Sequence, residues 1–222
     1  MAAYLALPEV LNGFGVDLAD VLDAARLPAS IFDDSENLVA YQDLGRLLAV
    51  SARLSKCDHI ALLVAQRVRL ADMGLAGQAA LCGETVGDGL KRFISHFTLQ
   101  NTAATVSLTT SGGFTRLVYA IAAPDIADTE QFQLGAMTVA FNILRDLCGQ
   151  GWLPTVVTFA SRAPANLRPC QRFFGSALNF GNDESAIVFE NHWLARPVPP
   201  VDELVRERTA AQVREREAAL LA

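Results

Sequence analysis

Residues 85–97, Thr85-Val-Gly-Asp-Gly-Leu-Lys-Arg-Phe-Ile-Ser-His-Phe97, belong to the segment from Gly74 to Leu147 whose reading decides the fold. Leu90, Phe93, Ile94 and Phe97 recur at three- and four-residue intervals, which puts them on one stripe of a helix. Thr85 and Asp88 stand three apart as a capping box with Asp in place of Glu or Gln, so the helix is predicted to start there and run to about Thr98. Gly87 and Gly89 each weaken its first turn by roughly 1 kcal/mol relative to Ala, and their smallness suits close approach by another backbone. A β-hairpin follows. Ala104, Val106 and Leu108 alternate with polar residues, Ser111-Gly112-Gly113 makes the turn, and Phe114 to Ala122 returns. In the second strand Leu117, Tyr119 and Ile121 share one face while Arg116, Val118 and Ala120 share the other. A longer helix then runs from Asp128 to Cys148 with Phe132, Ala136, Val139, Ala140, Ile143 and Leu147 apolar. Asp128 and Gln131 form a second capping-like pair, and Gly149 supplies the stop. The three pieces form a curved apolar surface with polar side chains at its edges.

Upstream, the chain reads as short helices. Residues 4–14 are apolar with Pro8 near the start, and Asp17 is an N-cap for a helix with Leu18, Val21, Leu22 and Ala25 on one face. An acidic loop, Ser30 to Asn37, leads to a stronger helix from about Tyr41, broken at Cys57-Asp58 and resumed from Ile60 to Val68. The Gly74/Gly77 segment has no Lys-Ser/Thr after its second glycine, so close packing of small residues fits it better than a phosphate loop. Downstream, Thr155 to Phe159 is a β-branched strand, and Asn166 to Phe174 is a short helix interrupted at Pro169. Leu178–Phe180 and Ala186–Phe189 are two further strands. Pro197-Val-Pro-Pro200 marks a boundary, beyond which Asp202 to Ala222 is a charged helix with alternating signs, a pattern of solvated faces and connectors. The fold class is α+β: a helical N-terminal layer, then a small antiparallel sheet from 103–122, 155–160, 177–180 and 185–190, packed with helices 86–98 and 128–148 in the manner of sensor domains.

With 222 residues, 51% of them hydrophobic and 19% charged, the chain can bury a sizeable core, and disorder is excluded for most of it. Its net charge of −6 gives it no electrostatic footprint for nucleic acid. Cys57, Cys82, Cys148 and Cys170 are scattered, without a CxxC pair or a Cys/His cluster, so free thiols are expected and no metal site. Neither a signal peptide nor a membrane-length apolar run is read, and the expected compartment is the cytoplasm.

No Gly-x-Ser-x-Gly elbow, His-Glu-x-x-His or GxGxxG occurs, and no catalytic residue is assigned. His96 flanks the aromatic stripe as a hydrogen-bonding group or ligand contact rather than a general base. Gln100, Arg116 and Tyr119 are the polar groups expected to border an apolar cavity, with Gln131 and Gln133 as additions.

The order of the pieces resembles the N-terminal effector domain of a large group of AraC/XylS-type transcriptional regulators, labelled arabinose-binding although distinct from the arabinose-binding cupin barrel. The matching segments are Gly15-Val-Asp-Leu18, Arg26-Leu-Pro28, Asp43-Leu-Gly-Arg-Leu-Leu48 and Met73-Gly-Leu-Ala-Gly-Gln-Ala-Ala80. They continue with Thr85-Val-Gly-Asp-Gly-Leu90, Trp152-Leu-Pro-Thr-Val-Val157, Phe173-Phe-Gly-Ser-Ala-Leu-Asn-Phe180 and Trp193-Leu-Ala-Arg-Pro197. The resemblance implies a sensor that binds a small effector and forms a homodimer. In the family a C-terminal region with two helix-turn-helix units binds DNA; this chain ends before such a region, and the charged helix from Asp202 lies where the family's linker would be. No effector identity, catalytic residue or cofactor comes with the resemblance.

Residues 1–200 are accordingly expected to be a ligand-sensing and dimerisation domain, and 201–222 a linker helix. The expected ligand is a small organic molecule in the apolar pocket between helix 86–98, the hairpin and helix 128–148. Phe93, His96, Phe97, Tyr119 and Phe132 are its expected shape contacts, and Gln100 and Arg116 its polar anchors. An anionic ligand would favour Arg116. The alternative is a module whose apolar surfaces serve only oligomerisation.

Overall fold

The structure, a computed structural model, describes residues 4–34, 37, 39–100, 103–122, 129–199 and 203–220, excepting the side chains of 98–100, 203–206 and 216–220. Among them the N-terminal layer comprises α1 (Leu7–Asn12), α2 (Leu18–Ala25), α3 (Tyr41–Ser55) and α4 (Ile60–Ala65). Next come α5 (Gly74–Leu81), α6 (Val86–Gln100), the hairpin β1 (Ala104–Ser111) and β2 (Phe114–Ile121), and α7 (Thr129–Cys148). The chain continues through β3 (Val156–Phe159), α8 (Arg168–Phe174), β4 (Ala177–Phe180), β5 (Ser185–Glu190) and α9 (Glu203–Leu220).

Local chemistry accounts for the boundaries. The Asp17 carboxylate accepts from the Ala19 amide at 2.9 Å and starts α2. At α6 the Asp88 amide donates to Thr85 Oγ1 at 3.2 Å, while the Asp88 carboxylate reaches back to the Glu84 amide at 3.1 Å. This is the reciprocal capping arrangement with its return bond displaced by one residue, from the Thr85 amide to that of Glu84. Gly112 and Gly113 take φ of +59° and +87°, the left-handed pair that a two-residue hairpin turn demands. Pro169 sits in the first turn of α8 and does not interrupt it, since the missing N–H there has no helical partner to lose. The predicted Asp128 cap lies outside the described residues.

The sheet runs β1-β2-β5-β3-β4. The β1–β2, β2–β5 and β3–β5 ladders are antiparallel, as expected, but β3 and β4 pair in parallel from Val156↔Ala177 to Phe159↔Phe180. The cause is α8, which carries the chain back to the starting end of β3, the crossover that parallel strands require. On the inner face, Leu117, Ile187 and Val157 lie in register under α7.

Two cores share a divider. Leu47, Val50, Ile60 and Val64 face Leu7, Leu11, Val21 and Leu22 in the smaller, N-terminal core. Leu44, Leu48, Ala61 and Leu62, from the same two helices, face α7 and the sheet in the larger one. Helices α3 and α4 are thus apolar on both sides, as elements buried between two layers must be. Asn142 fixes α7 to this divider: its side-chain amide donates to the carbonyls of Val68 at 2.8 Å and Ala65 at 3.1 Å.

The glycines expected to be packing devices meet backbone closely. A Cβ on Gly77 would lie 1.8 Å from the Leu70 carbonyl oxygen, and one on Gly89 would lie 2.7 Å from that of Ala80. Helices α5 and α6 therefore touch backbone to backbone. The boundary at Pro197 is also tied down: Val86 N–H donates to Arg196 O at 2.9 Å and Val198 N–H to Glu84 O at 3.2 Å. Beyond it, α9 lies against α5 and buries Thr209.

Candidate functional site

A cavity of about 510 Å³ opens between α6, the hairpin, α7 and the N-terminal layer. Its longest wall is α7, where Phe132, Gly135, Ala136, Val139, Ala140 and Ile143 follow the three- and four-residue spacing of one helix face. Gly135, Ala136 and Ala140 keep that face low, so space is left where larger side chains would have filled the core. Phe93 and Phe97, one turn apart on α6, form the opposite wall with ring centroids 5.8 Å apart. Val106, Leu117 and Tyr119 close the floor from the inner face of the sheet. The remaining side comes from the N-terminal layer: Tyr4, Asn37, Val39, Ala40, Tyr41 and Leu44. Tyr41 also packs on Phe132, with centroids 4.6 Å apart.

The polar character of the cavity is phenolic. All three tyrosines of the chain stand in the lining. The Tyr119 hydroxyl is buried beside the phenols of Tyr41 and Tyr4, and its hydrogen-bonding contact with Tyr41 falls short of ordinary geometry. Burial, and then those neighbouring phenols, push the Tyr119 hydroxyl far above the ordinary tyrosine range, so it stays protonated. Tyr4 is raised in the same way, by burial first and by Tyr41 second. Asn37 adds an amide whose Nδ2 donates to the Ser30 carbonyl at 2.9 Å.

Of the residues singled out in the sequence, Phe93, Phe97, Tyr119 and Phe132 come together in the lining. His96 does not join them. It is buried on the flank of α6, where its Nδ1–H donates to the Arg92 carbonyl at 2.7 Å. Arg116 is on the outer face of β2, as its alternation with Leu117 requires, and pairs there with Glu184. It does not border the cavity and cannot anchor an anion in it. The side chain of Gln100 lies outside the described residues. Gln131 and Gln133 serve the scaffold. Gln131 Oε1 accepts from the Ala61 amide at 3.1 Å, and Gln133 Oε1 from the Ser185 hydroxyl at 3.0 Å.

Tyr4 and Tyr41 are not among the contacts expected from the sequence. One signal was available for Tyr41: it shares a helical stripe with Leu44 and Leu48, so it belongs on a buried face.

The lining offers shape and hydrogen bonding and little reactivity. No Cys, His, Asp, Glu, Lys or Arg stands among the described lining residues. Among the described residues, no group of three or more His, Cys, Asp and Glu could hold a metal ion. The four cysteines, all among the described residues, form no disulfide, and burial pushes Cys170 up to about 11 and Cys148 up to about 12.

Comparison with known proteins places this architecture. The pattern of the N-terminal arabinose-binding domain of AraC transcription regulators matches residues 15–198. The chain belongs to this family. The ornithine utilization regulator of Pseudomonas aeruginosa is 23% identical over 193 residues, which cover 87% of this chain and 57% of that protein. Among solved structures, the transcriptional regulator CdpR from Pseudomonas aeruginosa superposes with a TM-score of 0.63 at 14% identity, over 92% of this chain and 61% of that one. At that identity the likeness is one of fold. This arabinose-binding-type domain thus spans less than two thirds of the length of either protein. No described helix is long and apolar enough to cross a membrane.

Proposed function

We propose that residues 1–200 are the effector-sensing and dimerisation domain of an AraC-type transcriptional regulator, working in the cytoplasm. A small organic molecule enters the cavity, and residues 201–222 relay its occupancy to a DNA-binding region outside this chain. The observation that carries the reading is the cavity itself: about 510 Å³ of space within the core of a family of regulators. A volume of this size is typical of small-molecule sites, whereas cores without a ligand role pack to near crystal density.

The path of the chain supports a relay. Phe93 and Phe97 wall the cavity from α6, Val86 at the start of α6 is bonded to Arg196 and Glu84 just before it to Val198, and the segment beyond leads into α9. A ligand that fits one packing of α6 better than another shifts the population between them, and α9 carries the difference. The absence of charged or nucleophilic side chains from the described lining favours a sensor over an enzyme. DNA binding would rest on residues outside these 222, since the net charge of −6 suits no phosphate backbone.

Thermal-shift screening of amines, short acids, amino acids and aromatic metabolites, with L-ornithine included because of the relative's name, tests the reading. A ligand should raise the melting temperature of the wild type, while Ala140→Phe and Ala136→Phe, which fill the cavity from α7, should each abolish the rise. If no compound stabilises the protein, or if the filled variants respond like the wild type, the cavity is not the effector site. Sedimentation at varied concentration tests the homodimer. A monomer at all concentrations would remove that part of the proposal.

A further inference from the structure

We infer that the effector is an uncharged, largely apolar molecule bearing a hydroxyl, carbonyl or amide group that hydrogen-bonds to Tyr119 and its phenolic neighbours. The inference rests on the sensor reading above and narrows the ligand of the same cavity.

The first ground is what the walls lack. A carboxylate or ammonium carried into an apolar cavity loses its hydration, and is tolerated only when a counter-charge or several hydrogen bonds replace it. None of the described lining residues carries a charge, and Arg116, the cation nearest in sequence to the floor, is held by Glu184 on the other side of the sheet. Among the described lining residues, free amino acids and short organic acids therefore meet no counter-charge for their charged ends.

The second ground is what the walls leave unfinished. Tyr119 is 9% exposed, lines the cavity, and buries a hydroxyl whose one hydrogen-bonding contact, with the Tyr41 phenol, falls short of ordinary geometry. Native cores satisfy nearly all such groups, and the exceptions call for an explanation. Tyr41 and Tyr4, the neighbouring phenols, also line the space. A phenol both donates and accepts, so the cluster can match a hydroxyl, a carbonyl or an amide on the ligand. The other walls are the rings of Phe93, Phe97 and Phe132, which suit an aromatic or hydrocarbon body.

A matched series on one skeleton tests this by calorimetry at neutral pH. Its members are 4-phenylbutan-1-ol, 4-phenylbutanamide, 4-phenylbutanoate, 4-phenylbutylammonium and the featureless n-butylbenzene. The alcohol and the amide should bind about tenfold or more tighter than either ion. Tyr119→Phe should weaken the alcohol by about three- to tenfold and leave n-butylbenzene unchanged. Equal or tighter binding of the carboxylate or the ammonium overturns the uncharged class. Alcohol binding unaffected by both Tyr119→Phe and Tyr41→Phe overturns the phenolic anchor. Ala140→Phe separates the two levels. If an ion is preferred and Ala140→Phe removes its binding, the cavity remains the effector site and only the ligand class falls. If no member binds, or Ala140→Phe changes nothing, both fall.

Discussion

The backbone N–H of Val86 donates to the carbonyl of Arg196 at 2.9 Å, so the first turn of α6 and the segment leading to α9 share one ladder. Val198 N–H extends it to Glu84 O at 3.2 Å, with Thr85 and Pro197 paired between them. The same helix presents Phe93 and Phe97 to the cavity two and three turns further on. The bridge thus ties the start of the helix that walls the cavity to residues 196–198.

Val198→Pro tests the ladder. Proline removes the donor and leaves the Glu84 carbonyl without that partner. Stability should fall by about 1 kcal/mol, and the Val86 amide should exchange with deuterium faster than in the wild type, while ligand binding in the cavity persists. Hydrogen exchange read on the peptide spanning residues 84–90 checks this. Unchanged protection there would mean that the ladder does not hold α6.

Two glycine substitutions separate close packing from ordinary helix preference. Gly77→Ala puts a methyl 1.8 Å from the Leu70 carbonyl oxygen, a clash with backbone that only movement of α5 can relieve. It should cost about 3 kcal/mol or more in urea denaturation. Gly135→Ala, where the new atom would lie 3.5 Å from the Ala61 Cβ, meets only normal contact. It should stabilise α7 by up to about 1 kcal/mol through helix propensity. Equal effects at the two sites would contradict the backbone contact.

Asp88 predicts a pH dependence. Burial alone would raise its carboxyl, but the Glu84 amide and the Arg92 guanidinium, whose Nε lies 3.0 Å away, hold it below the ordinary value of 3.8. A depressed carboxyl contributes stability that is fully present above its unfolded pKa and lost as the pH falls through the folded one. The urea midpoint of the wild type should thus drop as the pH falls from about 5 to about 3, and Asp88→Asn should have a flatter profile. Parallel profiles would show that the carboxylate does not cap α6 in solution.

Much of the scaffold was legible because its signals are local. The α6 stripe, the Gly112-Gly113 turn and the Asp17 cap each need only a few neighbouring residues to be read. The strand spans were legible too, but the parallel pairing of β3 with β4 was not, since it depends on where α8 delivers the chain. Three walls of the cavity followed from periodicity, which put Phe93, Phe97, Tyr119 and Phe132 on inward faces. Arg116 went astray although the alternation with Leu117 and Tyr119 already assigned it to the other face. His96 fell one position from Phe97, and a helix turns such a neighbour to the flank. Tyr4 and Tyr41 were hidden by distance: they meet Tyr119 only because the N-terminal layer folds over α7, and the stripe that Tyr41 shares with Leu44 and Leu48 marks a buried face without saying what covers it.

Tyr119 carries the last prediction, in which stability and function oppose each other. A buried hydroxyl without a good partner costs about 1–3 kcal/mol, and replacing it by hydrogen at constant ring shape relieves that cost. Ligand-free Tyr119→Phe should therefore be as stable as the wild type or up to about 2 kcal/mol more stable, although it deletes a buried polar group. In the presence of 4-phenylbutan-1-ol the wild type should gain the larger rise in melting temperature, because a ligand that binds only the folded state stabilises it more the tighter it binds. A hydroxyl kept for scaffolding would give the opposite pattern, with ligand-free Tyr119→Phe less stable and the ligand-induced rise unchanged. Measuring both melting curves for both proteins decides between a group retained for binding and one retained for packing.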